Sequence, residues 1–174
     1  LDVARRVIVT SGGDDTGITF TIAGTNASGL AISEVLTGVS GAAAQSALDF
    51  KTVTSVLTSG AAATTLTVGT NGVASSPWVR FDDYAAHSQV AIQATVSGTV
   101  NYTVQQTMQD PNAAPPDNVD DEDVVWVNHP DAALVGATTT QQGNYAYAPI
   151  FARVLLNSGT GSVSTVFRQA FLGH

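Results

Sequence analysis

Apolar and polar residues alternate along most of the chain with a period of two. From Thr16 to Ala23, Ile18, Phe20 and Ile22 alternate with Thr19 and Thr21, which places the large apolar groups on one face of an extended strand. Arg5 to Thr10 reads as the preceding strand. Ala31 to Thr37 follows, with Ile32, Glu34 and Leu36 set against Ser33 and Val35, and the carboxylate on the apolar side predicts a face that is wet near one edge. Further strands are predicted at Phe50 to Thr58, Thr64 to Val68, Trp78 to Phe81, Val90 to Ser97, Thr99 to Thr107, Ile150 to Asn157 and Ser162 to Ala170. Gly38 to Leu48 breaks the pattern: its run Ala42-Ala43-Ala44 has no sustained apolar stripe and predicts a loop with one turn of helix at most.

Ser11-Gly12-Gly13-Asp14-Asp15, Gly24 to Gly29 and Gly69-Thr70-Asn71-Gly72 are rich in the residues that relieve or reinforce tight turns. A module boundary is placed just after the last of them, giving an N-terminal β module at 1–76 and a C-terminal one at 77–174. Short connections favour antiparallel pairing, because a parallel pair needs a crossover of about a dozen residues. Val90 to Thr107 is expected to close as a hairpin across Ser97-Gly98, and Ile150 to Ala170 as a second one. The similar wording of Ser97-Gly98-Thr99 and Ser158-Gly159-Thr160 reads as hairpin chemistry used twice. The expected fold is all-β, an antiparallel β-sandwich or jelly-roll-like arrangement in two small modules.

Composition narrows the function. Of 174 residues 44% are hydrophobic and only 11% charged, and the net charge of −8 comes from six basic and fourteen acidic side chains. Six scattered cations cannot neutralise a row of phosphates, and the negative field repels nucleic acid and anionic lipid. No apolar run reaches the length of a membrane helix, about 18 residues. With no Cys, thiol catalysis, disulfides and thiolate metal sites are all excluded. Leu1 to Arg6 runs straight into a strand pattern and carries no basic-then-apolar leader, so no export signal is expected within it.

The densest charge lies in Gln109 to Asp123, where Pro111, Pro115 and Pro116 accompany Asp110, Asp117, Asp120, Asp121, Glu122 and Asp123. Prolines block ladder formation and like charges repel, which predicts a protruding loop. Asp117, Asp120, Asp121, Glu122 and Asp123, with Trp126 just beyond, are the candidate contact residues. Their spacing does not match an EF-hand. His87, His129 and His174 lack metal-ligand spacing, no Gly-x-Ser-x-Gly elbow is present, and Gly69 to Gly72 lacks the Lys-Ser/Thr ending of a phosphate loop. No catalytic, cofactor or metal site is therefore expected. Trp78, Trp126, Tyr145 and Tyr147 have the chemistry of a sugar-stacking platform, but aromatics more often anchor a core or subunit contact, and that reading is preferred.

The stretches Ser11 to Gly24, Glu34-Val35-Leu36-Thr37-Gly38 and Phe50 to Val56, with Val96 to Gln105, Trp126-Val127-Asn128-His129-Pro130 and Gln142 to Tyr147, resemble the small β-rich structural proteins of tailed-bacteriophage virions. Within that class the resemblance implies a capsid decoration or cement protein. It implies the major capsid protein as partner, a position on the capsid exterior, a dimer or trimer, and no nucleic-acid or membrane partner. The alternatives are a tail or head–tail junction component and a glycan-binding module of a tail fibre.

Overall fold

The computed structural model describes residues 1–82, 89–116 and 118–170, so the expectations for His87, Asp117 and His174 fall outside it. The chain is all-β, with 58% of it in strand and no α-helix among the described residues. It divides into two compact units, Leu1–Ser75 and Ser76–His174.

The first unit holds β1 (Ala4–Ser11), β2 (Thr19–Thr25), β3 (Ala31–Thr37), β4 (Ala43–Phe50), β5 (Thr52–Thr58) and β6 (Leu66–Ser75). β1 lies between β4 and β6, and β2 lies between β3 and β5, with every pairing antiparallel. The inward faces meet in one core made by Val7 and Val9 of β1, Phe20 and Ile22 of β2, Ile32 and Leu36 of β3, and Ala44 and Phe50 of β4. The alternation seen in β2 therefore points inward as expected: Phe20 and Ile22 are buried while Thr19 and Thr21 lie outside.

Three expectations need correction here. Gly38 to Leu48 is no loop, since β4 starts at Ala43. Its inward residues are Ala44 and Ser46, too small to register as an apolar stripe, and the Ser46 hydroxyl accepts from the Val7 amide at 2.8 Å where the β1–β4 register slips. Phe50 to Thr58 is two strands, because the chain changes sheet at Lys51. Gly69 to Gly72 lies inside β6 as a bulge: Arg5 pairs with Ala74 but Val7 with Thr70, and Gly72 takes φ +82°, a left-handed conformation that glycine adopts freely.

The second unit holds β7 (Val79–Arg80), β8 (Gln89–Ser97), β9 (Val100–Thr107), β10 (Val127–Asn128), β11 (Gln141–Tyr145), β12 (Phe151–Gly159) and β13 (Ser162–Ala170). β8 lies between β11 and β13, and β9 lies between β10 and β12, again all antiparallel. β7 adds to the outer edge of β12 through Arg80 to Phe151 and Val79 to Ala152. The core joins Val90, Ile92 and Ala94 of β8 to Val100, Tyr102 and Val104 of β9, Tyr145 of β11, and Ala152 and Val154 of β12.

Neither expected hairpin forms. β8 and β9 are consecutive but belong to opposite sheets, and so do β12 and β13; the pairs are β8 with β13 and β9 with β12. The two similar glycine turns are therefore two crossings from sheet to sheet, stacked on one another. Thr160 and Gly161 both donate to the Thr99 carbonyl, at 3.0 and 2.9 Å.

Counting β8 to β13 as first to sixth, the second unit repeats the connectivity of the first. In each, the first strand sits between the fourth and sixth, and the second between the third and fifth. The chain is a tandem of one six-strand sandwich topology. The equivalent crossings in the first unit, β1 to β2 and β5 to β6, also pack together: buried Asp15 accepts from the Ala63 amide at 2.7 Å, and Thr64 Oγ1 accepts from the Gly12 amide at 3.1 Å.

Candidate interaction surface

The repeat shows what the acidic loop is. The second and third strands are joined by a tight turn in the first unit, with Asn26 accepting through Oδ1 from the Ser28 and Leu30 amides at 2.9 and 3.0 Å. In the second unit the same connection, between β9 and β10, is expanded into the segment 108–126. An insertion at a hairpin tip leaves the ladder intact and projects away from it.

Its base is pinned. Gln109 Oε1 accepts from the Val125 amide at 2.6 Å, the Gln109 amide donates to Thr107 Oγ1 at 3.1 Å, and Asp110 pairs with Arg80 at 2.9 Å. Val124 is buried, so it fastens the far end of the insert. Asp120, Glu122 and Asp123 are exposed and Asp121 is half-buried, with Asp121–Asp123 forming a single 3₁₀ turn. Met108, Val125 and Val127 stand exposed around the base. Nine of the fourteen acidic residues lie in the second unit, six of them from Asp110 to Asp123, so the protein's negative field is concentrated here.

Beside the insert lies a cluster that sequence reasoning saw only in part. Phe151 and Arg153 alternate along β12 with the core residues Ala152 and Val154, so they project to the other face of the sheet. Trp78 meets Trp126 edge to face with centroids 5.0 Å apart, and meets Phe151 at 5.8 Å. The Arg153 guanidinium lies 4.3 Å from the Trp126 ring centre and donates through Nε to Gln105 Oε1 at 3.0 Å. Arg80 sits 5.5 Å from the Phe151 ring centre while it holds Asp110. Trp126 is thus half-buried and fixed in place at the foot of the acidic insert. Arg80, Phe151 and Arg153 were missed; the signal for the last two is their alternation with apolar residues in the strand.

The four aromatics considered as one platform separate into two groups. Tyr145 is fully buried in the core against His129, ring centres 4.4 Å apart, with Tyr147 5.9 Å away. His129 accepts through Nδ1 from the Asp131 amide at 3.0 Å, which leaves the proton on Nε2, and Nε2 is buried with no hydrogen bond among the described residues. Burial lowers the His129 pKa below its ordinary value and raises that of the Tyr145 hydroxyl well above its own. Both rings are neutral core components with no exposed reactive atom. Among the described residues no group of three or more His, Asp and Glu side chains converges as a metal site. No helix of the structure is long and apolar enough to cross a membrane.

No family model matches the chain, and comparison with curated proteins and with solved structures returned no match.

Proposed function

We propose that the chain is a non-enzymatic structural protein of a virion, a capsid decoration or cement protein that binds the major capsid protein lattice from outside and stabilises the shell. The observation that carries this reading is the placement of chemistry on the molecule. The densest group of carboxylates in the sequence lies on a pinned insert that exposes Asp120, Glu122 and Asp123 beside a fixed tryptophan and arginine cluster, while the buried His129, Tyr102 and Tyr145 serve the core. An outward acidic surface suits a partner face rich in Lys and Arg, and it keeps away from packaged nucleic acid. A repetitive lattice multiplies weak contacts into stable occupancy.

The tail-fibre glycan reading draws on the exposed side of the Trp78 and Trp126 pair. The Arg153 guanidinium already occupies one face of the Trp126 ring, which leaves less of it for stacking a sugar. The test is occupancy on particles that lack the protein. Changing Asp120, Asp121, Glu122 and Asp123 to their amides is expected to lower affinity for the capsid at least tenfold and to weaken the salt dependence of binding, with the melting temperature unchanged. Undiminished, equally salt-dependent binding by this variant would remove the insert from the contact.

A further inference from the structure

We propose that Asn71 is a self-modification site of the native fold, at which the backbone nitrogen of Gly72 converts the side-chain amide to aspartate and isoaspartate. This goes beyond the virion reading and does not depend on it.

The chemistry is intramolecular. The Gly72 nitrogen gives its proton to hydroxide and attacks Cγ of Asn71, closing a five-membered succinimide ring from groups already adjacent in the chain. The Cγ–Nδ2 bond breaks, and Nδ2 takes a proton from water and leaves as ammonia. Water then opens the ring at either carbonyl. One opening restores the backbone with an aspartate side chain; the other routes the backbone through the side chain and adds a methylene to β6. A side chain on the residue that follows hinders the approach, and glycine has none. Asn71 alone among the asparagines of the chain is followed by glycine.

Backbone locked in a ladder resists the rotation that brings the nitrogen to Cγ. At this point the ladder with β1 is interrupted: Arg5 pairs with Ala74 and Val7 with Thr70, so Asn71, Gly72 and Val73 stand together opposite the single residue Arg6. Asn71 is exposed, and the space beside the Gly72 Cα is open, since a Cβ there would meet nothing within 4 Å. The carboxamide is already folded back along the chain. Its Oδ1 accepts from the Val73 amide at 3.1 Å, which wraps the side chain around the intervening Gly72. That oxygen gains negative charge when Cγ is attacked, and the Val73 N–H is placed to stabilise it. Nδ2, the departing nitrogen, donates to Oε1 of exposed Gln45 at 2.7 Å, at the surface where ammonia escapes. Asn26 is the internal comparison: its Oδ1 accepts from the Ser28 amide in the same manner at 2.9 Å, but it is buried and followed by Ala27. The bulge also accommodates the product. An added methylene lengthens a segment that is already outside the β1 ladder, and it leaves the Arg5–Ala74 and Val7–Thr70 pairs in place. The modified chain keeps its fold and gains one negative charge.

The test is incubation of the folded full chain in mildly alkaline buffer, read by peptide mass mapping and by methyl transfer from an isoaspartyl methyltransferase. Asn71 is expected to convert at least tenfold faster than Asn26, with a rate that rises with pH and a circular dichroism spectrum that stays native. Hydroxylamine, which cleaves at the succinimide, should split the native chain into 1–71 and 72–174. Asn71→Gln keeps the carboxamide but would have to close a larger ring, and it should give neither isoaspartate at this position nor the cleavage. A folded chain that keeps its Asn71 amide while the urea-unfolded chain loses it overturns the proposal. So does conversion of Asn26 at the same rate, or isoaspartate undiminished in Asn71→Gln.

Discussion

Gly98 lies against Gly161 so closely that a Cβ on Gly98 would stand 3.1 Å from the Gly161 Cα. Here the β8 to β9 and β12 to β13 crossings touch, and the contact explains why both turns are spelled with glycine. A Cβ on Gly161 would come 2.3 Å from the Ser97 carbonyl oxygen, a clash with backbone that no rotamer change relieves. Gly161→Ala is expected to destabilise the second unit by about 2 kcal/mol. Gly17→Ala, whose Cβ would meet nothing within 4 Å, is the control and should change stability by no more than about 0.5 kcal/mol. Urea denaturation of the two variants decides it; equal stabilities would mean that the crossings are not in contact.

Glu34 ties the two sheets of the first unit together away from their crossings. Its carboxylate reaches from β3 to accept from the Ala47 and Leu48 amides of β4, at 2.8 and 2.9 Å, so the expected wet edge is a site where one sheet is tied to the other. Glu34→Ala is expected to cost about 1 to 2 kcal/mol, since hydrogen bonds to charged groups are the stronger kind and this one is partly exposed. Amide exchange at Ala47 and Leu48 should accelerate in the variant. Unchanged exchange there would show that the tie does not hold in solution.

His129 sets a pH dependence whose sign follows from its burial. Its folded-state pKa lies below the ordinary 6.5, so the unfolded chain takes up a proton more readily than the folded one. Stability is retained above that value and is lost as pH falls through it toward the folded-state pKa. His129→Asn keeps an acceptor for the Asp131 amide and removes the titration, so its stability should vary less between about pH 7.5 and 5.5, above most carboxylate titration. Chemical denaturation at the two pH values measures the difference. A wild type as insensitive as the variant would place His129 in contact with water.

The pair formed by Arg153 and Trp126 is open to a double-mutant cycle. With the guanidinium 4.3 Å from the ring centre at a half-exposed site, Arg153→Ala and Trp126→Phe should couple by about 0.5 to 1 kcal/mol. A coupling indistinguishable from zero would mean that the guanidinium gains nothing from the Trp126 ring.

The sequence made the strands legible wherever large apolar residues alternate, as in β2, β8 and β9. Pairing was not legible. A hairpin and a sheet-to-sheet crossing use the same turn chemistry, and Ser97-Gly98-Thr99 carries no mark of which strand lies beside β8. β4 was hidden because Ala44 and Ser46 fill its inward positions with little apolar volume. The tandem was hidden for a related reason: the shared property is the order of strands, while the crossings are closed by Asp15 and Thr64 in one unit and by glycines in the other. The acidic insert and Trp126 were readable as an exposed segment and its neighbour, but their attachment through Arg80, Phe151 and Arg153 depends on strands far apart in sequence.

The proposed capsid role is tested most directly by adding the purified protein to particles that lack it, then measuring saturation stoichiometry and the temperature at which the shell releases its DNA. Binding that saturates at a fixed ratio to the major capsid protein, with release shifted to higher temperature, is the expected result. Absence of saturable binding, or full occupancy with no change in the release temperature, would contradict a cementing function.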